Sequence, residues 1–375
     1  MKRGQFDVQL LIVVVVLLII GTYMVFNASA PTAYNESGDA LSYLKKQLLM
    51  LGIGSIGMFV AIFLNYKVYK KFAWPIFGIG FLLLLAVFTP LGHEVNGARR
   101  WLFFGPVSIQ PSEFMKIAMV ILISYKLSKM NLKLDRIRNY IFYVVVVLAV
   151  AVILQLQHHL SATVIIVLPV FVLLLIAGTK LRYFFTIIAG GVGMGALLIA
   201  MESFRKARVF AFLDPFNPEN IQGQNWQIVN SLMAIGSGGW FGKGLGQSAQ
   251  KFLLPEPQND FIFAILVEET GFIGALIVIM LFGYLIFRGF SIAAHAPDKF
   301  SSYLAIGITT ILAIQTIMNI MVVTSLMPVT GVSLPFFSYG GTSLIFLMYS
   351  MGILLNISRN SVKIDDKVKK NNSRS

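Results

Sequence analysis

The chain has 375 residues, of which 57% are hydrophobic, and its mean hydropathy is +0.78. This composition excludes a soluble globular domain, and repeated apolar runs of roughly 20 residues predict transmembrane helices. The absence of cysteine excludes disulfides and thiolate metal sites. A net charge of +14 would suit a nucleic-acid partner, but the positions of the charges along the chain indicate otherwise.

About ten apolar runs follow one another and predict an all-α polytopic membrane protein. They are Val8–Phe26, Gln47–Leu64, Trp74–Thr89, Glu113–Leu127, Tyr140–Leu156, Leu160–Gly178, Phe184–Met201, Phe261–Phe287, Tyr303–Val323 and Leu344–Ile357. The first run could also be a signal peptide, since Ala28-Ser29-Ala30 resembles a cleavage site, but its length and the following spans favour a retained helix. We therefore expect a transmembrane domain over residues 1–358 and a basic cytoplasmic tail over 359–375.

The lysines and arginines predict the orientation. With the N-terminus inside, most of the 30 Lys and Arg residues fall in inner loops and in the tail. Both termini are therefore predicted to be cytoplasmic, with outer loops at 91–112, 202–260 and 326–343, the second being a long loop between helices 7 and 8. Much of the basic charge thus reports topology rather than nucleic acid. The outer cations remain available to an anionic ligand, and they include Arg100, Lys116, Arg205, Arg208 and Lys251.

Three acids at the start of an apolar helix or inside it mark the stretch QKFLLPEPQNDFIFAILVEETGFIG, residues 250–274. Asp260 lies where a proline-rich loop enters an apolar helix, and Glu268 and Glu269 lie inside that helix. A carboxylate within a membrane segment is costly, so each is a candidate functional residue. Helical spacing predicts that Glu268 shares a face with Asp260 and that Glu269 points the other way. A structural alternative remains for Asp260, which could be a helix N-cap ahead of Phe261.

The first outer loop carries an aromatic residue beside cations and then a helix start. Trp101 follows Arg100 and is typical of an interfacial anchor. Gln110-Pro111-Ser112-Glu113 predicts a helix that begins with proline and has an acid in its first turn. Glu113 and Lys116 are three residues apart, so they share a face and could pair, either structurally or as part of a site.

The other two outer loops are irregular. SLMAIGSGGWFGKGLGQSAQK is rich in glycine and contains Lys243, so it could cradle phosphate, although it does not match a nucleotide P-loop. LMPVTGVSLPFFSYGGTSL breaks the helical pattern at membrane depth, which is tolerated where backbone is buried or lines a cavity. Ser338 and Thr342 would offer hydroxyls to such a cavity. His158 and His159 are adjacent, and this spacing does not support a metal site.

Three motifs, NGARRW…QPSEFMK, LPEPQNDFIFAILVEETGFIG and LMPVTGVSLPFFSYGGTSL, resemble the signatures of the SEDS family (shape, elongation, division and sporulation). The resemblance extends from about Asp7 to Asn360, and the first motif is more similar to the division and sporulation branch than to the elongation branch. It implies the SEDS fold and a peptidoglycan glycosyltransferase that polymerises lipid II at the outer face of the bacterial cytoplasmic membrane. It also implies a complex with a class B penicillin-binding protein and with other division or sporulation membrane proteins.

The resemblance also implies roles for single residues. The family's essential acid falls on Asp260, its QPSE…K acid and base on Glu113 and Lys116, its loop arginines on Arg205 and Arg208, and its QK lysine on Lys251. The chain departs from the family where Gln-Pro-Asp-Leu-Gly-Thr is often found, because the acid of that stretch is replaced by His159. The acid's role in metal or proton handling is therefore either absent from this chain or taken by the imidazole of His159. No cofactor is certain, and a divalent cation, magnesium or manganese, is the open alternative.

Glycosyl transfer needs a base for a sugar hydroxyl and cations for a diphosphate leaving group. We expect Asp260 to be that base. The expected substrate-binding residues are Glu113, Lys116, Arg205, Arg208, Lys251, Arg100, Ser338 and Thr342, with Glu268, His159 and Trp101 in supporting roles. The two alternative functions are a transporter and a scaffold. A transporter of lipid-linked precursors would favour broken helices in both halves, whereas here the breaks lie on one side. A non-catalytic scaffold for the transpeptidase leaves the acids of residues 250–274 unexplained.

Overall fold

A computed structural model describes residues 6–95, 98–104, 107–129, 137–179, 212–217 and 225–361, together with residues 193, 200, 206 and 210. Within these ranges the helices are α1 (Val8–Ser37), α2 (Ser42–Phe63), α3 (Lys67–Lys71), α4 (Ala73–Ala86), α5 (Pro111–Lys129), α6 (Ile137–Leu156), α7 (Leu160–Ile176), α8 (Trp226–Gly238), α9 (Ile262–Ala294), α10 (Lys299–Val323) and α11 (Gly341–Arg359). Five of them, α1, α2, α9, α10 and α11, are long and apolar enough to cross a membrane, and α4, α6 and α7 supply shorter apolar helices.

The predicted spans correspond to these helices, apart from Phe184–Met201, which lies outside the described residues except at positions 193 and 200. The first helix is longer than expected and continues past Phe26 to Ser37. It ends at Gly38, which has a φ of 71° and donates its N–H to the Tyr34 carbonyl oxygen at 2.9 Å. A glycine in the left-handed region is a common helix terminator, because it satisfies a free carbonyl at no steric cost.

A small antiparallel sheet, which the sequence analysis did not predict, occupies the first outer loop. Its strands are β1 (Gly92–Val95), β2 (Ala98–Phe104) and β3 (Val107–Ile109), in the order β1-β2-β3. Val95 is opposite Ala98, so β1 and β2 pair up to their facing ends. Asn-Gly between β-forming residues is a strong hairpin signal and would have predicted this strand pair.

The helices pack through small residues. An added Cβ at Gly352 of α11 would lie 2.5 Å from the carbonyl oxygen of Met58 in α2. Such close approach of two backbones is typical of membrane helix pairs. The hydrophobic effect does not drive helices together in lipid, and glycine permits the close van der Waals packing that does. Helix α10 lies near the centre of the bundle, since 72% of its most apolar window is buried, against 22% for α2.

One end of the bundle brings together residues from both ends of the chain. The backbone N–H of Asp7 donates to Ser358 Oγ at 3.0 Å, and Arg288 at the end of α9 forms an ion pair with Asp7. The hydroxyl of Tyr66 donates to Asp298 at 2.9 Å on the same side. The start of α1 and the end of α11 therefore share one face, as the topology prediction requires.

Candidate active site

The segment between α10 and α11, residues 324–340 and called the α10–α11 loop below, has neither helix nor strand, as predicted. It is bound to the residues just before α9. Ser338 Oγ donates to the Asn259 carbonyl oxygen at 2.7 Å, and the Tyr339 N–H donates to the Gln258 carbonyl oxygen at 2.8 Å. Irregular backbone at membrane depth needs such internal partners, because lipid offers none. Two non-helical segments thus meet directly beside Asp260.

Asp260 does not cap the following helix. Helix α9 begins at Ile262, and its N-cap residue is Phe261, which makes no side-chain capping bond. The N-cap alternative for Asp260 is therefore wrong. Its half-buried carboxylate lies next to Gly331, where an added Cβ would approach Asp260 Oδ2 to 3.3 Å. Gly331 also has a φ of 71°, a conformation that L-residues with side chains rarely adopt.

A buried asparagine fixes the backbone around Asp260. Asn319 of α10 donates its side-chain amide to the carbonyl oxygens of Asp260, at 2.8 Å, and Val332, at 2.7 Å. The same residue therefore holds both non-helical segments. Asn319 was not among the predicted site residues. A polar amide inside an apolar span is a recognisable signal of helix or loop contact in membranes, and it could have identified this residue.

Glu113 and Lys116 form the predicted pair. Their charged atoms are 2.7 Å apart, and the side chains are 13% and 6% exposed. They border a cavity of about 40 Å³ that Gln315, Ser338 and Ser343 also line. A cavity of this size with polar walls has room for a few water molecules. Ser338 closes it from the side of the α10–α11 loop.

Thr342 lies in the first turn of α11, at the same end of the bundle. Its hydroxyl oxygen accepts a hydrogen bond from the N–H of Gln110 at 3.3 Å, which ties α11 to the start of α5. The Ser338 hydroxyl is engaged on both sides, since it also accepts from the Leu334 N–H at 2.7 Å. Both predicted hydroxyl residues therefore lie at the site and stabilise its loops, and their contact with substrate stays a prediction.

His159 lies between the first outer loop and α7. The Arg100 guanidinium donates to the carbonyl oxygen of His158, which places β2 over this connection. His159 is 8% exposed, and among the described residues its Nδ1 has no hydrogen-bond partner. Burial, with Arg100 and Lys116 nearby, lowers the pKa of His159 to about 3, so the imidazole is neutral at physiological pH. Trp101 is half-buried in β2 opposite His93.

The start of α7 also contacts the α10–α11 loop. Ser161 Oγ donates to the carbonyl oxygen of Thr330, the residue before Gly331. The loop therefore joins the His159 connection to the Asp260 segment at one end of the bundle, and Thr342 just after it bonds Gln110 ahead of α5. Arg205 and Arg208 lie outside the described residues, so their predicted roles stay predictions.

Lys251 is turned into the protein. Its ammonium group donates to the Gly246 carbonyl oxygen at 2.8 Å and to Asn27 Oδ1 at 3.0 Å, and the residue is buried. Asn27 in turn donates its amide to Glu269. In this arrangement Lys251 stabilises the segment that leads to Asp260, and its expected contact with a diphosphate stays a prediction.

Glu268 and Glu269 both bind the segment at residues 243–251. Glu268 accepts from Lys243 Nζ at 2.7 Å and from the N–H groups of Ala249 and Gln250 at 3.2 Å, while Glu269 accepts from the Ser248 N–H at 3.3 Å. Helical spacing predicted that Glu269 points the other way from Glu268, and the segment nevertheless reaches both side chains because it wraps across α9.

One related expectation fails. Asp260 precedes α9, so helical spacing does not place it on one face with Glu268. Lys243 forms an ion pair with Glu268, and a phosphate-binding role for the glycine-rich stretch stays a prediction. Glu268 is wholly buried and holds this stretch against α9.

A break in α9 makes this contact possible. Gly271 has a φ of 69°, and the backbone hydrogen bonds around it are exchanged with the glycine-rich stretch. The carbonyl oxygen of Glu268 accepts from the Lys243 N–H at 2.9 Å, and the Phe272 N–H donates to Gly239 at 2.8 Å. Helical backbone groups freed at membrane depth are thus satisfied by a neighbouring segment. The glycines of both segments were the available signal.

Within the described ranges, no group of three or more histidines and acids is placed to hold a metal ion.

These features define a polytopic α-helical membrane protein in which two irregular segments hold Asp260 at the same end of the bundle as a cavity lined by the Glu113–Lys116 pair. The family described as "Cell cycle protein", which comprises FtsW, RodA and SpoVE, matches residues 8–363. Stage V sporulation protein E of Bacillus subtilis (strain 168) is 41% identical over 365 residues, covering 96% of this chain and 99% of that protein. The "Probable peptidoglycan glycosyltransferase FtsW" of Geobacter sp. (strain M18) is 39% identical over 367 residues, covering 96% and 98%.

Solved structures agree with this match. A chain from a peptidoglycan synthase complex that coordinates polymerization and crosslinking has a TM-score of 0.79 and 27% identity, covering 96% of this chain and 99% of that one. The rod shape determining protein RodA of Thermus thermophilus has a TM-score of 0.71 and 27% identity, covering 96% and 98%. This chain belongs to the FtsW, RodA and SpoVE family and has its multi-pass membrane fold.

Proposed function

We propose that this protein is a peptidoglycan glycosyltransferase that polymerises lipid II, with Asp260 as the general base. The observation that carries the proposal is the position of Asp260, half-buried where the α10–α11 loop meets the segment before α9. Relatives over nearly the full chain bear the name of this activity. A base must be fixed in place and still be reachable by a sugar hydroxyl, and Asp260 meets both conditions.

The reaction needs one proton acceptor and one stabilised leaving group. The acceptor sugar hydroxyl attacks the anomeric carbon of the lipid-linked donor, and its proton passes to the Asp260 carboxylate. The new glycosidic bond forms as the bond to the diphosphate breaks, and the diphosphate leaves with that electron pair. Direct displacement with inversion is the simplest route, because it needs a base and no carboxylate nucleophile in addition.

Cations near the cavity would stabilise the departing diphosphate. Lys116 borders the cavity and Arg100 lies over the neighbouring connection, and charge-assisted hydrogen bonds to phosphate are among the strongest in proteins. The sequence assigns Arg205 and Arg208 to the same task. Each is expected to contribute roughly 1–3 kcal/mol to substrate binding. If polymerisation stays complete after both arginines are replaced, their role is membrane anchoring and not substrate binding.

The polyprenyl tail of the substrate needs an apolar surface. A cavity of about 210 Å³ between α3, α4, α5 and α11 is lined by apolar and aromatic side chains, among them Ile76, Phe114 and Tyr349. Ile117 and Phe346 line both cavities, so this apolar space adjoins the polar cavity. The tail would lie there while the diphosphate and sugars face the polar end.

The partner and the orientation extend this proposal. We infer that the protein acts with a class B penicillin-binding protein, because a synthase complex that couples polymerization to crosslinking contains a chain of the same fold.

Both termini are assigned to the cytoplasm, which places the Asp260 end of the bundle on the outer side of the bacterial cytoplasmic membrane. The excess of lysine and arginine in the opposite loops supports this orientation.

A divalent cation belongs to the proposal as well. Magnesium or manganese would supply positive charge to the departing diphosphate, and because no group of three or more histidines and acids within the described ranges would hold the ion alone, the substrate's oxygens would have to contribute ligands. Chelation of divalent cations with EDTA should then reduce polymerisation, and added magnesium should restore it. Full activity in EDTA would remove the cation from the account.

The deciding experiment compares three functions. Purified protein with its transpeptidase partner is given lipid II, and glycan products are resolved on a gel. A glycosyltransferase makes glycan strands that disappear with Asp260→Asn. A transporter moves lipid II across vesicle membranes without making strands, and a scaffold does neither.

A further inference from the structure

The inner end of the apolar cavity between α3, α4, α5 and α11 is lined by a pair of tyrosines. Tyr69 of α3 and Tyr349 of α11 share a hydroxyl–hydroxyl hydrogen bond of 2.8 Å, and their rings pack edge to face. Tyr69 is buried close to Tyr66, which bonds Asp298 on the inner side of the bundle. The tyrosine pair therefore separates the cavity from that inner side.

The cavity runs inward from the polar cavity along one face of α5. Phe114, Ile117, Ala118 and Ile121 line it, and their spacing of three or four residues puts them on the same side of the helix. Phe114 and Ile121 are separated by about 10 Å of helix. A chain attached to a diphosphate in the polar cavity would enter beside Phe114 and reach Ile121 further in.

The volume of this cavity limits how much of a polyprenyl tail it can hold. The volume is about 210 Å³. An apolar cavity of about 150 Å³ holds one benzene ring, so this one has room for roughly eight carbon atoms. That is a little less than two isoprene units of five carbons each. An undecaprenyl tail is several times longer, so most of it must lie in the bilayer.

We propose that this cavity recognises the two isoprene units nearest the diphosphate and that the protein does not select for tail length beyond them. This inference rests on the function proposed above and names the part of the lipid that the protein recognises. Carbons that stay in the bilayer have the same apolar surroundings before and after binding, so they add no affinity. Carbons inside the cavity gain or lose affinity through close packing against its walls.

Binding of short prenyl diphosphates, without turnover, tests the proposal. The full-length protein in nanodiscs is titrated with dimethylallyl, neryl, farnesyl and nerylneryl diphosphate, which carry five, ten, fifteen and twenty carbons. Ala118 is wholly buried one turn inward of Phe114, so the larger side chain of Ala118→Leu would occupy the place of the second unit. For each ligand, the affinity of the unaltered protein is divided by that of the variant, which cancels partition into lipid.

The affinity ratio should rise in one step. It should stay within about 3-fold for dimethylallyl diphosphate and reach roughly 10- to 100-fold for neryl diphosphate, because added atoms overlap the second unit. Farnesyl and nerylneryl diphosphate should give the same ratio as neryl diphosphate. A ratio that keeps growing with tail length, one that is already full for dimethylallyl diphosphate, or no loss for any ligand would overturn the proposal.

Two further variants complete the experiment. Ala177→Leu is the matched control, because Ala177 is half-buried at the end of α7 and is not one of the residues that line the cavity, and it should leave every affinity unchanged. Ile121→Ala enlarges the inner part of the cavity, so it should favour farnesyl over neryl diphosphate more than the unaltered protein does. If Ala118→Leu fails to fold, this comparison still decides, and an unchanged preference would refute the proposal.

The two proposals fail separately. A step in binding at the second isoprene unit, in a protein that makes no glycan, would keep the tail site and refute the glycosyltransferase. Normal glycan synthesis without that step would refute only the tail site.

Discussion

The side-chain amide of Asn319, which is wholly buried in α10, donates a 2.8 Å hydrogen bond to the backbone carbonyl oxygen of Asp260. The same nitrogen reaches the carbonyl oxygen of Val332 at 2.7 Å. One amide from the centre of the bundle therefore sets the distance between the acid and the α10–α11 loop. The position of the base depends on a residue that need not touch substrate.

Replacing this amide should reduce catalysis more than substrate affinity. Asn319→Ala leaves two buried carbonyl oxygens without their donor, which costs about 1–3 kcal/mol of folding free energy each if no water enters. We expect a lower kcat for lipid II polymerisation with little change in KM. Asn356→Ala is the matched control, because Asn356 also donates to a backbone carbonyl, that of Ile62, at the opposite face. An unchanged kcat in Asn319→Ala would contradict this role.

Replacing Gly331 should have two effects that can be measured separately, one on backbone strain and one on the space around the Asp260 carboxylate. Gly331→Ala introduces strain at a φ of 71° and brings a methyl group within 3.3 Å of Asp260 Oδ2. Gly38 has the same φ of 71° with open space around it, so Gly38→Ala carries the strain alone. Both variants should lose about 1 kcal/mol of stability. Only Gly331→Ala should lose polymerisation, and equal activity in the two variants would mean that the contact with Asp260 is unimportant.

The Glu113–Lys116 pair should behave differently when one or both members are replaced. Lys116→Met leaves the buried Glu113 without its partner and should destabilise the protein by about 3–5 kcal/mol. The double variant Glu113→Gln, Lys116→Met removes both charges and should recover much of that stability. Thermal unfolding measures this recovery. Polymerisation should stay low in both variants, and an active double variant would show that the pair is only structural.

The chain contains no cysteine, so single cysteines report topology directly. Lys45, in the first turns of α2, has a side chain that is 66% exposed, and Lys67 is exposed at the start of α3 on the opposite face. Lys45→Cys should react with a membrane-impermeant maleimide in whole cells, whereas Lys67→Cys should react only after lysis. The reverse pattern would invert the orientation and place Asp260 in the cytoplasm.

The sequence predicted the elements whose signals are local. Apolar runs located the spans, and the proline before Glu113 located the start of α5, because membrane length and helix-start chemistry determine both. The broken pattern at Gly331 and Gly340 correctly indicated irregular backbone. The three-stranded sheet was not predicted, because the β-forming residues that flank the Asn-Gly dipeptide in the sequence were treated as loop.

Long-range partners could not be predicted in the same way. Glu268 and Lys243 are far apart in sequence, and their 2.7 Å contact requires the break at Gly271 together with the segment that crosses it. Lys251 likewise has its main side-chain partner, Asn27, on α1. Residue spacing describes one helix at a time, whereas these contacts depend on how separate segments fold back at membrane depth.

The central claim is that the Asp260 carboxylate is the general base, and Asp260→Asn tests it most directly. Asparagine keeps the size of the side chain and cannot accept the proton. Asp39→Asn removes an exposed outer acid paired with Lys45 and serves as the control. The purified variants, each with its transpeptidase partner, are given lipid II, and the products are resolved on a gel. We expect Asp260→Asn to fold, to bind the partner and to make no glycan, while Asp39→Asn makes normal strands; long glycan strands from Asp260→Asn would contradict the account.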